Sequence, residues 1–178
     1  QNTIIAQLQK ENAELKEFNG RKNQKDTIIA YILKKPPFTA YDSLILDIGS
    51  KDGVMPGNKV YAPANILVGQ VYETTRGTSK VKLYSSYGEK YEVLIGDKNI
   101  QVTATGRGGG LFETVIPRDT KVNVGDTVTI PDISNAVFGT VGKIIADPAR
   151  AFSTVLFSQP INIYEQKWVT VSLSNENK

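Results

Sequence analysis

The chain has 178 residues, 40% of them hydrophobic and 22% charged, with a net charge of +3. That is the composition of a folded globular protein with room for one ordinary domain or two small ones. Cysteine and histidine are both absent, which excludes disulfides, thiolate nucleophiles, zinc-thiolate sites and every catalytic arrangement that uses an imidazole.

The charge is mild and no dense Lys/Arg block occurs, so no nucleic-acid partner is expected. No apolar run is long enough to cross a bilayer, and no signal peptide is visible. The chain opens on Gln1 inside a helical pattern. It reads as a fragment whose natural N-terminus, with any membrane anchor, lies upstream.

Residues 1–25 carry that helix. Ile5, Leu8, Asn12 and Leu15 recur at alternating spacings of three and four, a heptad seam with Asn12 at an a-like position. Ile4 and Phe18 widen the stripe. Two heptads are marginal alone in water, so the pattern predicts the tail of a longer coiled coil that self-associates. The plainer alternative is an amphipathic helix packed on its own body. Asn19-Gly20 supplies the stop signal.

From residue 26 onward the pattern is β. TIIAYIL (27–33), SLILDIG (43–49), KVYAPA (59–64), ILVGQVYET (66–74), SKVKLYS (79–85) and KYEVLIG (90–96) come first. NIQVTATG (99–106), LFETVI (111–116), DTVTIPD (126–132), FGTVGKIIAD (138–147), FSTVLFS (152–158) and KWVTVSL (167–173) follow. Short strands parted by Gly/Pro/Asn/Asp turns predict small barrels or sandwiches. The expected fold is mainly β: a coiled-coil helix followed by two small barrel-like domains, 26–100 and 101–178. The last strand has the option of returning to complete the first domain.

An internal repeat supports two units. Gly57-Asn58-Lys59-Val60 matches Gly125-Asp126-Thr127-Val128, and Val68-Gly69-Gln70-Val71 matches Phe138-Gly139-Thr140-Val141. Further on, Val81-Lys82-Leu83 is aligned with Val155-Leu156-Phe157. Gly57 and Gly125 are expected to take positive φ before a strand, and Gly69 and Gly139 to mark a bulge or sharp bend.

The motifs that invite a chemical reading favour structure. In DIGSKDGVMPGNKV (47–60), Asp47 and Asp52 lack the alternating ligands and terminal Glu of a calcium loop. No helix follows to make a phosphate loop. Gly49, Gly53 and Gly57 there read as turn residues. GRGGG (106–110) lacks the third glycine of a dinucleotide fingerprint and joins two strands, so an exposed, mobile hairpin tip is expected. Trp168 and the strand tyrosines default to packing, and the turn aspartates to capping. No catalytic residue, cofactor or metal site is assigned.

With a heptad tail and a duplicated β body in hand, the residues resemble the rod-shape-determining MreC family. The most specific part is LILDIGSKDGVMPGNKVYAPANILVGQVYETTRGTSKVKLYS, similar to that family's D-x-G-x-x-D-G-V, G-x-x-V and L-V-G-x-V stretches. VNVGDTVTI (122–130) and FGTVGKI (138–144) give a second match. One departure stands out: IPDISNAVFG replaces the usual Thr-Ser-Gly and proline-containing segment.

The resemblance implies a bitopic protein with its transmembrane helix upstream and two β-domains outside the cytoplasmic membrane. It also implies a non-enzymatic scaffold of bacterial cell-wall elongation that self-associates. Its other partners would be a class B penicillin-binding transpeptidase and further membrane proteins of that complex. The competing readings are a periplasmic adaptor of an efflux or secretion system, and a two-barrel hydrolase of protease-like architecture. The first predicts a second, antiparallel heptad segment; the second is opposed by the missing histidine.

Overall fold

The computed structural model describes residues 2–22, 27–39, 42–131 and 136–173, with the backbone alone for 13–22. Among the described residues one α-helix, α1 (Asn2–Lys22), precedes twelve strands. They are β1 (Thr27–Lys34), β2 (Ser43–Leu46), β3 (Lys59–Ala62), β4 (Ile66–Thr74), β5 (Ser79–Leu83) and β6 (Lys90–Ile95), then β7 (Ile100–Gly108), β8 (Leu111–Pro117), β9 (Thr127–Thr129), β10 (Val137–Ala146), β11 (Phe152–Ser158) and β12 (Trp168–Ser172). Side chains alternate in and out along them, as the two-residue period of a strand requires. Along β5, Ser79, Val81 and Leu83 are buried; along β8, Phe112, Thr114 and Ile116 are.

The hydrogen-bonded order closes twice. One ring runs β4-β3-β12-β1-β2-β5 and returns to β4; the other runs β10-β9-β6-β7-β8-β11 and returns to β10. Each is a six-stranded barrel, and one parallel pair, Val137 with Ile66, links them. A domain boundary at 100/101 does not follow this pairing, because β6 joins β7 and β9 in the second ring. The final strand, β12, bonds β1 and β3. The second barrel is therefore inserted between β5 and β12 of the first.

Each barrel has its own core. Leu44, Leu46, Val60, Val81, Val169 and Val171 centre the first. Phe112, Phe138 and Phe157 centre the second, with Phe112 and Phe157 stacked at 4.9 Å and Phe112 against Phe138 at 4.5 Å. Burying each such side chain contributes about 1.5–3 kcal/mol before the entropy of ordering is subtracted. Leu67 crosses between them: its strand builds the first barrel, yet its side chain is buried in the second core.

The GRGGG turn is not a free tip. A Cβ on Gly106 would lie 2.3 Å from the Ser86 carbonyl oxygen, so only glycine allows this approach. Gly110 N–H donates to the buried Ser85 hydroxyl at 2.9 Å. Glycine-rich composition suggested exposure, but the residues that hold this turn come from the β5–β6 connection and from Gln159, distant in sequence.

Candidate interaction surfaces

The DIGSKDGV segment is built to dock a hairpin. Gly49 lies under the β4–β5 turn, where a Cβ would come within 2.4 Å of the Thr75 carbonyl oxygen. Ser50 and Lys51 N–H groups donate to the Thr75 and Arg76 carbonyls at 2.9 and 3.1 Å. Asp52 Oδ2 accepts from Gly49 N–H at 3.0 Å, and Gly53 closes the turn at φ 87°. Asp47 Oδ1 accepts from Tyr31 N–H at 2.8 Å, where β1 and β2 part. Both carboxylates thus hold backbone. Among the described residues no group of three or more His, Cys, Asp or Glu is placed to hold a metal ion.

The next turn occurs twice. Gly57 N–H donates to Val71 O and Val71 N–H to Asn58 O; Gly125 N–H donates to Val141 O and Val141 N–H to Asp126 O. The two glycines have φ of 99° and 95°, a region that costs other residues strain. Asn58 Oδ1 accepts from Met55 N–H at 2.8 Å, and Asp126 Oδ2 from Asn123 N–H at 2.9 Å.

Gly69 and Gly139 meet the neighbouring strand in the same way. A Cβ on the first would be 2.6 Å from the Lys82 carbonyl oxygen and 2.8 Å from the Val81 side chain. On the second it would be 2.8 Å from the Phe157 ring and 3.0 Å from the Ser158 carbonyl oxygen. This pairing corrects the third sequence match. Val81 faces Val71 and Phe157 faces Val141, so Val81 corresponds to Phe157, two residues beyond the sequence alignment to Val155. Val155 and Phe157 share the buried face of β11, and a slip of two keeps the inward-facing set unchanged.

The described side chains of the helix, residues 2–12, are exposed apart from the half-buried Glu11. Ile5, Leu8 and Asn12 are exposed, and Ile4 beside them is too. Glu11 ties the helix to the body, with its Oε1 at 3.1 Å from Lys167 Nζ beside β12. Leu15 lies on the same helix, its side chain outside the described residues. No described helix is long and apolar enough to cross a membrane.

Two further features escaped sequence reasoning. At the barrel junction, Lys59 Nζ lies 3.2 Å from both Gln70 Oε1 and Tyr84 Oη, and Tyr84 meets Tyr91 edge-on at 4.7 Å. Burial lowers the Lys59 ammonium below its ordinary value. Burial also raises the Tyr84 phenol well above its own, with Tyr91 and Tyr61 adding to the effect.

On the outside of the second barrel, Val115, Ile145 and Phe152 are 56%, 47% and 57% exposed and line a groove of about 600 Å3. The sequence reads their segments, LFETVI, FGTVGKIIAD and FSTVLFS, as strands without assigning their faces. The signal available was the apolar residue on the outward-facing set, Val115 after Leu111 and Glu113.

A family model described as rod shape-determining protein MreC, barrel core, matches residues 32–172. The chain belongs to the MreC family. It is 27% identical over 181 residues to the cell shape-determining protein MreC of Listeria monocytogenes. That alignment covers 94% of this chain and 61% of the relative, so the chain spans about three-fifths of the relative's length. A solved MreC structure superposes with a TM-score of 0.80 at 20% identity, covering 93% of this chain and 98% of that one. A chain from a complex between a penicillin-binding protein and MreC from Helicobacter pylori gives 0.56 at 15% identity, covering 84% and 98%. These two similarities establish the fold, and the family model assigns the barrels to MreC.

Proposed function

We propose that this MreC-family chain is a non-catalytic, extracytoplasmic scaffold of the bacterial cell-wall elongation machinery. A transmembrane helix upstream of Gln1 anchors it. The α1 seam pairs it with a second copy, and the two barrels, 27–83 with 168–172 and 90–158, present surfaces to a class B penicillin-binding transpeptidase and its membrane partners. The observation that carries this reading is the match of a shape-determining family to residues 32–172, all of the barrel region but the first part of β1. The Helicobacter pylori complex, in which a similarly folded MreC is bound to a penicillin-binding protein, supports the choice of partner. The exposed Ile4, Ile5 and Leu8 support self-association, since an apolar stripe on a helix gains stability only when covered.

Sedimentation of the chain against an Ile5→Asp/Leu8→Asp/Leu15→Asp triple variant tests the seam. The wild-type chain is expected to show a concentration-dependent dimer, and the variant a monomer with the same melting temperature. Equal masses at every concentration would refute pairing through the helix.

A further inference from the structure

Glu11 is both the tie between α1 and the first barrel and a neighbour of the heptad seam. Its side chain is 35% exposed and that of Lys167 46%, so their ion pair is open to water and weak on its own. With Ile5 and Asn12 at a and Leu8 and Leu15 at d, Glu11 falls at g. The g position borders the seam without entering it. Ile5, Leu8 and Asn12 remain exposed beside it. A helix laid on the seam would therefore meet the residue that already holds Lys167.

The seam states what that second helix is. A β-branched residue at a, leucine at d and a single Asn at an a position favour two parallel strands in one register. In that arrangement Asn12 meets its own copy. Each g residue meets the e residue five places further along the partner, and five places beyond Glu11 is Lys16, within α1. Two-fold symmetry makes the pair twice. The other e residue, Gln9, meets Ile4 and adds no charge; Lys10 and Glu17 at f and Glu14 at c lie away from the seam. An antiparallel pair sets g against g and e against e, so no register brings Glu11 to Lys16, and Asn12 faces a d residue. Charge complementarity therefore exists for the parallel pair alone.

We infer that the Glu11 carboxylate has two alternative partners: Lys167 of its own first barrel in the single chain, and Lys16 of a second copy once the helices pair in parallel. Latching the helix to the barrel and pairing it with another helix then draw on the same group. The inference rests on the scaffold reading above for the pairing itself. It adds the strand direction, the register and the residue through which assembly changes the hold of the helix on the body. The coupling is reciprocal. Self-association loosens α1 from the first barrel, and anything that engages Lys167 elsewhere favours self-association.

The test is sedimentation equilibrium of the whole chain at low ionic strength, where exposed charges are least screened. Glu11→Lys and Lys16→Glu each set like charges on both flanks of the seam. Each should weaken the dimer at least fivefold at an unchanged melting temperature. Mixed in equal amounts, the two variants regain opposite charges on both flanks and should form a heterodimer as tight as the wild-type dimer. Lys167→Ala, which leaves Glu11 to the partner helix, should tighten the dimer several-fold. A mixture no tighter than its separate components would overturn Lys16 as the partner. A Lys167→Ala dimer no tighter than wild type would overturn the alternation. Either result leaves the pairing of the seam standing, whereas a wild-type chain that is monomeric at every concentration would overturn that pairing itself.

Discussion

The Gln159 side chain donates through Nε2 to the Leu67 carbonyl at 3.0 Å, tying the segment that leaves the second barrel to a strand of the first. Both residues are buried, and Leu67 places its side chain in the second core. The bond is therefore part of what fixes one barrel on the other. Gln159→Leu is expected to leave the Leu67 carbonyl without a donor and to cost about 1–3 kcal/mol in urea unfolding. Gln159→Glu should cost more at neutral pH, because a carboxylate would face that carbonyl. A Gln159→Glu variant as stable as wild type would show that the bond does not hold the junction.

The close approaches at the two bulge glycines predict unequal costs. Gly69→Ala presses a Cβ against the Lys82 backbone, whereas the nearest atom at Gly139 belongs to the Phe157 ring. Backbone yields less than a side chain, so Gly69→Ala should be the worse of the two, at about 1–3 kcal/mol or more. Gly77, with nothing within 4 Å of an added Cβ, is the control. Gly77→Ala is expected to stay within about 0.5 kcal/mol of wild type. Thermal melts of the three variants check the order.

The junction predicts an alkaline limb. The folded state holds the Tyr84 proton well above the ordinary phenol value, so above about pH 10 the unfolded chain loses a proton that the folded chain keeps. Tyr84 thus contributes stability below that pH which is lost as the pH rises further. Lys59, lowered by burial, acts in the opposite sense: its contribution is present above the ordinary lysine value and is lost as pH falls through the lowered one. The larger shift belongs to Tyr84, so the net expectation is falling stability on the alkaline side. Tyr84→Phe should flatten that fall in urea midpoints measured across the range, while costing about 1 kcal/mol at neutral pH for the lost hydroxyl contacts. An unchanged alkaline slope would remove Tyr84 as its cause.

Much of this architecture was legible locally. The turn at Gly57 and its copy at Gly125 announce themselves because positive φ and a following Asx residue are demands on a few neighbouring positions. The GRGGG segment was misread for the converse reason. Its partners Ser85, Ser86 and Gln159 are brought in by barrel closure, and nothing in five residues encodes that. The boundary at 100/101 failed in the same way, since β6 has no composition that marks it for the second barrel. Its assignment is made by β7 and β9 bonding to it. The groove of Val115, Ile145 and Phe152 needed the register of three strands before its residues became neighbours.

The insertion of one barrel into the other has a consequence for synthesis. The second barrel's strands, β6 to β11, are contiguous in the chain, so that barrel can close soon after Ser158 has been made. The first barrel waits for Trp168–Ser172, the last strand to emerge. Until then β1 and β3 each lack a neighbour, and unpaired edges of that kind invite wrong pairing. Domains generally fold in the order of synthesis. Here the barrel whose first strand is made first is the one whose closing strand is made after the other barrel is complete.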